Sequence, residues 1–492
     1  MGAIPVPEFD QLHVISDLHM GGEAGRQIFT TAAELAALIR HLRDEPSHER
    51  VALLINGDGV DFLAEPNARY FDPHGATAKL DRIFQDPAFN PVWTELRSFV
   101  AQPNRRLIVN LGNHDLELAL PWVRDHFTGL LERQNPAAVG QTTLVLDGTG
   151  FSCTVASKRV LCIHGNEVDT WNVADHEMLR RIGRDLVQGR PVEDWTPNAG
   201  TKLVIDVMNG IKRNYAFIDL LKPEVQALVP VLIALDQTQA AGLQRIVAIA
   251  SRLSWDRVRR ATGFLSFGEQ AAPTPLELEE GSEWARRQRT KTAGGEGASQ
   301  LEHSEATVVV AAAEENFRSG MDPIALVDSS TADQLGAFGA GWAWARGKSK
   351  EEVLYAAVRD LEKDRSFYLD APDETFRRID KFVGADFDYV VTGHTHMERQ
   401  LPREHGNGTY FNTGSWVPRM QFTPAALASM QSFRPVFEAL QNGRTVASLA
   451  AQPDLLIYAP IVLSIRKHDG GAQATLNQVS VVNGQAQLAP LS

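Results

Sequence analysis

Cysteine is scarce: the 492-residue chain has two, Cys153 and Cys162. That excludes a disulfide scaffold and a thiolate metal site, which needs clustered Cys. The two flank a tight turn expected at Ser157-Lys158 that would set them opposite each other on paired strands, and reduced core thiols are the expectation. Long apolar runs are missing too. The longest, residues 227–235, contains Pro230 and falls far short of the roughly 18 residues that suggest a membrane span. Residues 1–11 hold no basic stretch followed by an apolar one, so no secretory signal is visible and a cytoplasmic location is expected. Positive charge is in deficit, with 48 Lys and Arg against 61 Asp and Glu and a formal net charge of −13. Binding to a polyphosphate backbone is dominated by Lys and Arg, so a small phosphorylated molecule is a better substrate expectation than nucleic acid. The chain has no internal repeat, and its protein partners are left open.

What is present is ordinary globular composition, 43% hydrophobic and 22% charged, in a chain longer than one usual domain. Residues 12–16, 51–56, 107–111, 160–164 and 387–392 are short runs of Val, Ile and Leu, the pattern of strands buried on both faces. Between the first two, Thr31-Ala32-Ala33-Glu34 reads as a capping box, and Leu35, Leu38, Ile39 and Leu42 follow at i, i+3, i+4 and i+7, an amphipathic helix. Strand, helix, strand alternation predicts an α/β fold with a largely parallel central sheet. Beyond His164 the rhythm changes. Residues 201–261 read as helices broken near Gly210 and at Pro223 and Pro230, and residues 268–297 as a mobile linker. The basic run at 284–291 reads as part of that solvated linker. Helices are expected at 349–361, 373–383 and 423–440, and strands at 455–465 and 473–482 that complete a sheet. The expected domains are a first core part at 1–169, a mainly helical insertion at 170–385 with the linker near 268–300, and a second core part at 386–492.

Each of the five strand-like runs ends in, or just before, a short motif: Asp17-Leu18-His19, Gly57-Asp58-Gly59-Val60-Asp61, Gly112-Asn113-His114-Asp115, His164-Gly165 and Gly393-His394-Thr395-His396. A tetrapeptide such as Gly-Asn-His-Asp arises by chance in a chain this long about 0.003 times, so five motifs in one order are hard to ascribe to coincidence. Open α/β sheets bind ligands outside the carboxyl ends of their strands, so the five ends point at one place. Carboxylate, amide oxygen and imidazole suit Mn, Fe, Zn or Mg. In extended backbone just past a strand, Asp17 and His19 project to one side, as do His394 and His396. Asp58 sits on a glycine-flanked turn where its carboxylate can bridge two ions. Asn113 adds a neutral ligand and His164 an imidazole, and with Asp58 they would define the second ion. Two ions about 3.5–4 Å apart acidify a bridging water to hydroxide and hold the attacking and leaving oxygens, which is phosphoester hydrolysis. His114 diverges from Asn113 and is expected to face the substrate as proton donor to the leaving oxygen. Asp61 is the carboxylate expected to orient it, with Asp115 the rival. His13 and His176 read as structural or exposed. Asn166 and Asp169 would face the substrate, unless Asp169 caps a helix.

These motifs resemble the calcineurin-like metallophosphoesterase superfamily, whose pattern D-x-H, G-D-x-x-D, G-N-H-[DE], H and G-H-x-H is met at every element, over residues 12–169 and 386–416. The resemblance implies Asp17, His19, Asp58 and His396 on a first ion, and Asp58, Asn113, His164 and His394 on a second, with manganese favoured. It implies His114 as catalytic acid with Asp61 behind it, in a four-layer α-β-β-α sandwich of two mixed sheets. Phosphoprotein phosphatases of this superfamily carry Arg-Gly after the motif aspartate and end Gly-Asn-His-Glu; this chain has Phe62-Leu63 and Asp115. The stretch from His164 to Asp169 resembles in part the nucleoside-diphosphate-lipid pyrophosphatases, which carry Asp where Asn166 stands and have a shorter helical cap. The branch is therefore unassigned. The insertion is expected to cap the metal crevice and select substrate. A metal-dependent nuclease is the rival activity, and a non-catalytic scaffold would require a missing ligand; none is missing.

Overall fold

Apolar runs covered on both faces form the middle of two sheets. The computed structural model describes residues 5–169, 172–192, 195, 197–212, 215–220, 349–361, 372–420, 422–443 and 445–491. In chain order the first elements are β1 (Glu8–Phe9), β2 (Gln11–Ile15), α1 (Ala32–Arg43), β3 (Val51–Asn56), α2 (Ala76–Gln85), α3 (Asn90–Val100), β4 (Arg105–Asn110), α4 (Pro121–Glu132), β5 (Thr142–Val145), β6 (Phe151–Val155) and β7 (Lys158–Cys162). Next come α5 (His176–Val187), α6 (Ala199–Leu203), α7 (Asn209–Lys212), α8 (Lys350–Leu361), α9 (Glu374–Phe382), β8 (Tyr389–Thr392), β9 (Arg399–Pro402), β10 (Thr409–Asn412) and β11 (Arg419–Met420). The chain ends with α10 (Met430–Asn442), α11 (Val446–Ala450), β12 (Leu456–Ile457), β13 (Ile461–His468), β14 (Gly471–Val482) and β15 (Gln485–Pro490).

One sheet runs β15-β14-β13-β2-β3-β4-β5 and the other β1-β6-β7-β8-β10-β9. Both are mixed: β2 to β5 are parallel with β13 antiparallel to β2, while β7, β8 and β10 are parallel with β9 antiparallel. Alternation along each strand sorts side chains between layers. Leu12, Val14, Ala52, Leu54 and Ile108 face Val155, Val160, Cys162, Val391 and Phe411 in the core between the sheets. Ile15, Leu53, Ile55, Leu107 and Val109 turn the other way, onto the apolar faces of α1 to α4. On the far side, Phe376 and Ile379 of α9 cover Val390 and Tyr410. The result is the expected α-β-β-α order.

The chain divides into two compact units, one of residues 1–221, 365–421 and 442–492, the other of residues 222–364 and 422–441. Within the second, Tyr355 of α8 donates its hydroxyl to the Leu427 carbonyl at 2.8 Å, and its ring lies 5.3 Å from that of Phe433. The breaks expected at Pro223 and Pro230, the linker at 268–300 and the basic run at 284–291 lie outside the described residues. Among described residues, no helix is long and apolar enough to cross a membrane.

Several local expectations are corrected. Thr31 forms no capping box: its hydroxyl donates to the Trp416 carbonyl at 2.7 Å, tying α1 to the segment after β10. Gly210 does not break its helix, since α7 runs through it. Cys153 pairs with Val160, and Cys162 with Phe151, so the two thiols are not opposite each other. Both are free and buried, and burial pushes the Cys153 thiol up to about 12. The helix expected at 423–440 starts at Met430.

Candidate metal centre

β2, β3 and β4 in one sheet and β7 and β8 in the other end at the same crevice. Buried asparagines stitch the sheets there. Asn56 donates its amide to the Ile163 carbonyl at 2.8 Å, and Asn110 donates to Asn56 Oδ1 at 2.7 Å and to the Cys162 carbonyl at 3.0 Å. Asn412, ending β10, donates to the Gly393 carbonyl at 2.7 Å and so fixes the last motif.

The backbone beyond these strand ends is not extended, contrary to the expectation for the paired ligands. Asp17, His19, Asp58, His394 and His396 all have φ between 48° and 66°, in the left-handed region that costs non-glycine residues energy. Hydrogen bonds hold them there: the His19 N–H donates to the Asp58 carbonyl at 2.9 Å, the Asp17 N–H to the Gly57 carbonyl at 3.2 Å, and the His394 N–H to Asp17 Oδ2 at 3.0 Å. The side chains still converge. At Gly57 (φ +88°) a Cβ would overlap the His164 ring, so this turn requires glycine.

Three trios bring donor atoms within 4.8 Å of one another: Asp17, His19 and His396; His19, Asp58 and His114; Asp17, Asp58 and His164. His19 Nε2 faces His396 Nε2 at 3.2 Å, and His396 Nε2 lies 3.2 Å from Asp17 Oδ1. Asp58 accepts the His114 N–H on Oδ1 at 2.8 Å, and its Oδ2 lies 3.2 Å from His164 Nε2. His164 donates through Nδ1 to the Asn56 carbonyl at 2.7 Å, which reserves Nε2 for the crevice.

The residues fit a divalent cation. Burial raises Asp17, but His396 and His164 outweigh it and hold the carboxyl well below the usual carboxylate range. Asp58 is likewise raised by burial and lowered further by His164 and His114. Burial lowers His164, and Asp58 and Asp17 push it back up to about 10. Buried carboxylates thus demand positive charge that protonated imidazoles supply here and a metal ion would supply in their place. Asn113 Oδ1 is buried without a hydrogen-bond partner, as expected of an oxygen kept for a ligand.

Three of the residues singled out in the sequence, His394, Asp169 and Asp115, lie outside the trios. His394 is in none of the trios; its Nε2 lies 2.8 Å from Asp169 Oδ2, and its ring meets His164 edge-on at 5.3 Å. Asp169 thus meets His394 from the end of the 3-10 turn Asn166–Val168, while the N-cap of α5 is Asp175. Asp115 is not the partner of His114: it accepts the N–H groups of Gly112 (2.7 Å) and Gly59 (3.0 Å), and burial followed by the Asp58 charge pushes it up to about 7. Asp61 fills the partner's place but is shared, its Oδ2 lying 3.1 Å from both His114 Nδ1 and His19 Nδ1. Burial lowers His114, and Asp61 and Asp58 raise it to about 9. The His114 side chain keeps 18% exposure, against 0% for His164 and 2% for Asp58, so it is the more open to an incoming molecule. His13 is structural, as expected, between Gln11 and Ser464.

Residues 11–223 match the family model of calcineurin-like phosphoesterases. This stretch is a calcineurin-like phosphoesterase domain. No curated protein matches the chain. The phosphoesterase match covers Asp17 through His164, and the Gly393-His394-Thr395-His396 motif beyond it joins the same site through β8. A calcineurin-like phosphoesterase domain over residues 11–223 implies a hydrolase acting on phosphoesters with divalent metal ions. Sequence reasoning gave no role to Asn56, Asn110 and Asn412, although a polar residue closing an otherwise apolar strand was a visible signal. It also passed over Lys212, whose positive charge opposes protonation of His114; no motif marks it.

Proposed function

We propose that this protein is a dinuclear metal-dependent phosphoesterase that hydrolyses a small phosphomonoester, phosphodiester or pyrophosphate. The observation that carries the reading is the convergence of Asp17, His19, Asp58, His164 and His396 in overlapping trios of buried donors. In this reading Asp17, His19, Asp58 and His396 hold one ion, and Asp58, Asn113, His164 and His394 a second, with manganese favoured over Fe, Mg or Zn. A bound pair of such ions supplies Lewis acidity to phosphoryl oxygens and an acidified water. His114, with Nδ1 tied to Asp61, keeps Nε2 to protonate the leaving oxygen. Asp61 holds that imidazole protonated and also steadies His19.

The insertion is proposed to select the substrate. Asn209 Nδ2 donates to the Leu63 carbonyl at 3.0 Å and the Tyr70 hydroxyl to Asp206 at 2.6 Å, contacts that support placing residues 199–212 beside the loop carrying Asp61.

The full-length protein, stripped with a chelator and reloaded with Mn, Fe, Mg or Zn, tests the reading against p-nitrophenyl phosphate, bis-p-nitrophenyl phosphate and a pyrophosphate. Hydrolysis should vanish on stripping and return with metal, most with manganese. Protein holding two ions per chain that cleaves none of these would contradict it and favour a binding scaffold. Tight, strongly salt-dependent DNA binding would favour the nuclease instead.

A further inference from the structure

His394 is held at two points. Its N–H donates to Asp17 Oδ2 at 3.0 Å, and its ring Nε2 lies 2.8 Å from Asp169 Oδ2. A carboxylate accepts, so Nε2 is the ring nitrogen that donates to Asp169 and Nδ1 is the one on the other side of the ring. His164 is arranged the opposite way, donating through Nδ1 to the Asn56 carbonyl and keeping Nε2. Two imidazoles beside one another would thus serve one ion through different nitrogens, each fixed by an acceptor on its far side.

Asp169 is itself positioned. The chain leaves His164 through Gly165, at φ +118°, makes a single 3-10 turn over Asn166–Val168, and returns the Asp169 N–H to the Asn166 carbonyl at 3.0 Å. Asn172 donates to the same Asp169 oxygen at 2.8 Å, and Asn166 donates to the Asn172 carbonyl at 3.1 Å. Arg378 of α9 donates to the Val168 carbonyl at 2.9 Å, so the turn that follows His164 is also tied to α9. A loop closed on itself in this way carries a carboxylate to one imidazole.

We infer that Asp169 is a positioning residue for the second ion: it fixes His394 with the proton on Nε2, so that Nδ1 is the ligand atom. The inference rests on the dinuclear reading above. Carboxylates behind ligating histidines fix tautomer and ring orientation and raise basicity, and their loss typically weakens metal binding about 10- to 100-fold. Such a role loads on one ion of the two. A purely structural ion pair would weaken both ions equally or neither.

The test is manganese titration of the chelator-stripped full chain, followed by calorimetry and by metal analysis after gel filtration, for wild type, Asp169→Ala and Asp169→Asn. Wild type should bind two ions. Asp169→Ala should bind one ion about 10- to 100-fold less tightly and the other within about twofold of wild type. Asp169→Asn, whose amide oxygen still accepts from Nε2–H, should recover most of the loss while its metal-free melting temperature stays near that of wild type. Unchanged affinity for both ions in Asp169→Ala overturns the inference, as does equal weakening of both. If Asp169→Asn loses as much as Asp169→Ala with its fold intact, the carboxylate is a ligand rather than a positioning residue. A wild-type protein that binds fewer than two ions would instead defeat the dinuclear reading itself.

Discussion

At Asn113 a buried amide oxygen meets no hydrogen-bond donor. Burying such a group unpaired costs about 1–3 kcal/mol, which a bound cation would offset. Asn113→Ala should therefore leave the metal-free protein within about 1 kcal/mol of wild type in denaturant unfolding while weakening manganese binding at least tenfold. A loss of stability without loss of metal affinity would assign Asn113 a structural role. The identity of the candidate ligands was legible in the sequence because carboxylate, amide and imidazole chemistry is written into each motif. Their backbone conformation was not. Left-handed φ at Asp17, His19 and His394 goes with hydrogen bonds between loops far apart in the chain. The pairing of His394 with Asp169 was hidden for the same reason, since 225 positions separate them.

Elements read more easily where their signal was local. β2, β3 and β4 show as apolar runs because both faces are covered, and α1 shows as a stripe of Leu35, Leu38, Ile39 and Leu42 that all become buried. The Thr31 cap failed because a tertiary acceptor, the Trp416 carbonyl, took the hydroxyl. A second buried polar group, Glu117, follows the Gly112–Asp115 motif in a short 3-10 turn. Glu117 accepts the Asp72 N–H at 3.0 Å, and Lys79 of α2 pairs with Asp72 at 2.9 Å. Burial pushes Glu117 up to about 7 against the pull of Lys79. A carboxyl raised in the folded state contributes stability that is complete below its ordinary value of 4.5 and is lost as pH rises through about 7. Glu117→Gln keeps the acceptor without the charge, so it should match wild type near pH 5 and exceed it by about 2–3 kcal/mol at pH 8. Lower stability of Glu117→Gln at pH 8 in urea unfolding would show that Lys79 requires the charge.

For the whole molecule, two mixed sheets pack so that five strand ends from both reach one crevice, which no single element could furnish. The order of motifs revealed that convergence because α/β topology places ligand sites at carboxyl strand ends. The long segment between His164 and His394 carries no comparable pattern, and residues 221–348 lie outside the described structure. The proposed preference for small phosphorylated molecules draws on the net charge of −13. The central claim is a division of labour in the crevice, between residues that hold metal and an imidazole that moves a proton. Paired measurement of bound metal and kcat on p-nitrophenyl phosphate for His114→Ala and Asp58→Ala tests it most directly. His114→Ala should keep near wild-type metal while kcat falls about 10²- to 10⁴-fold, and Asp58→Ala should lose both. Equal loss of metal in the two variants would place His114 among the ligands and contradict the account.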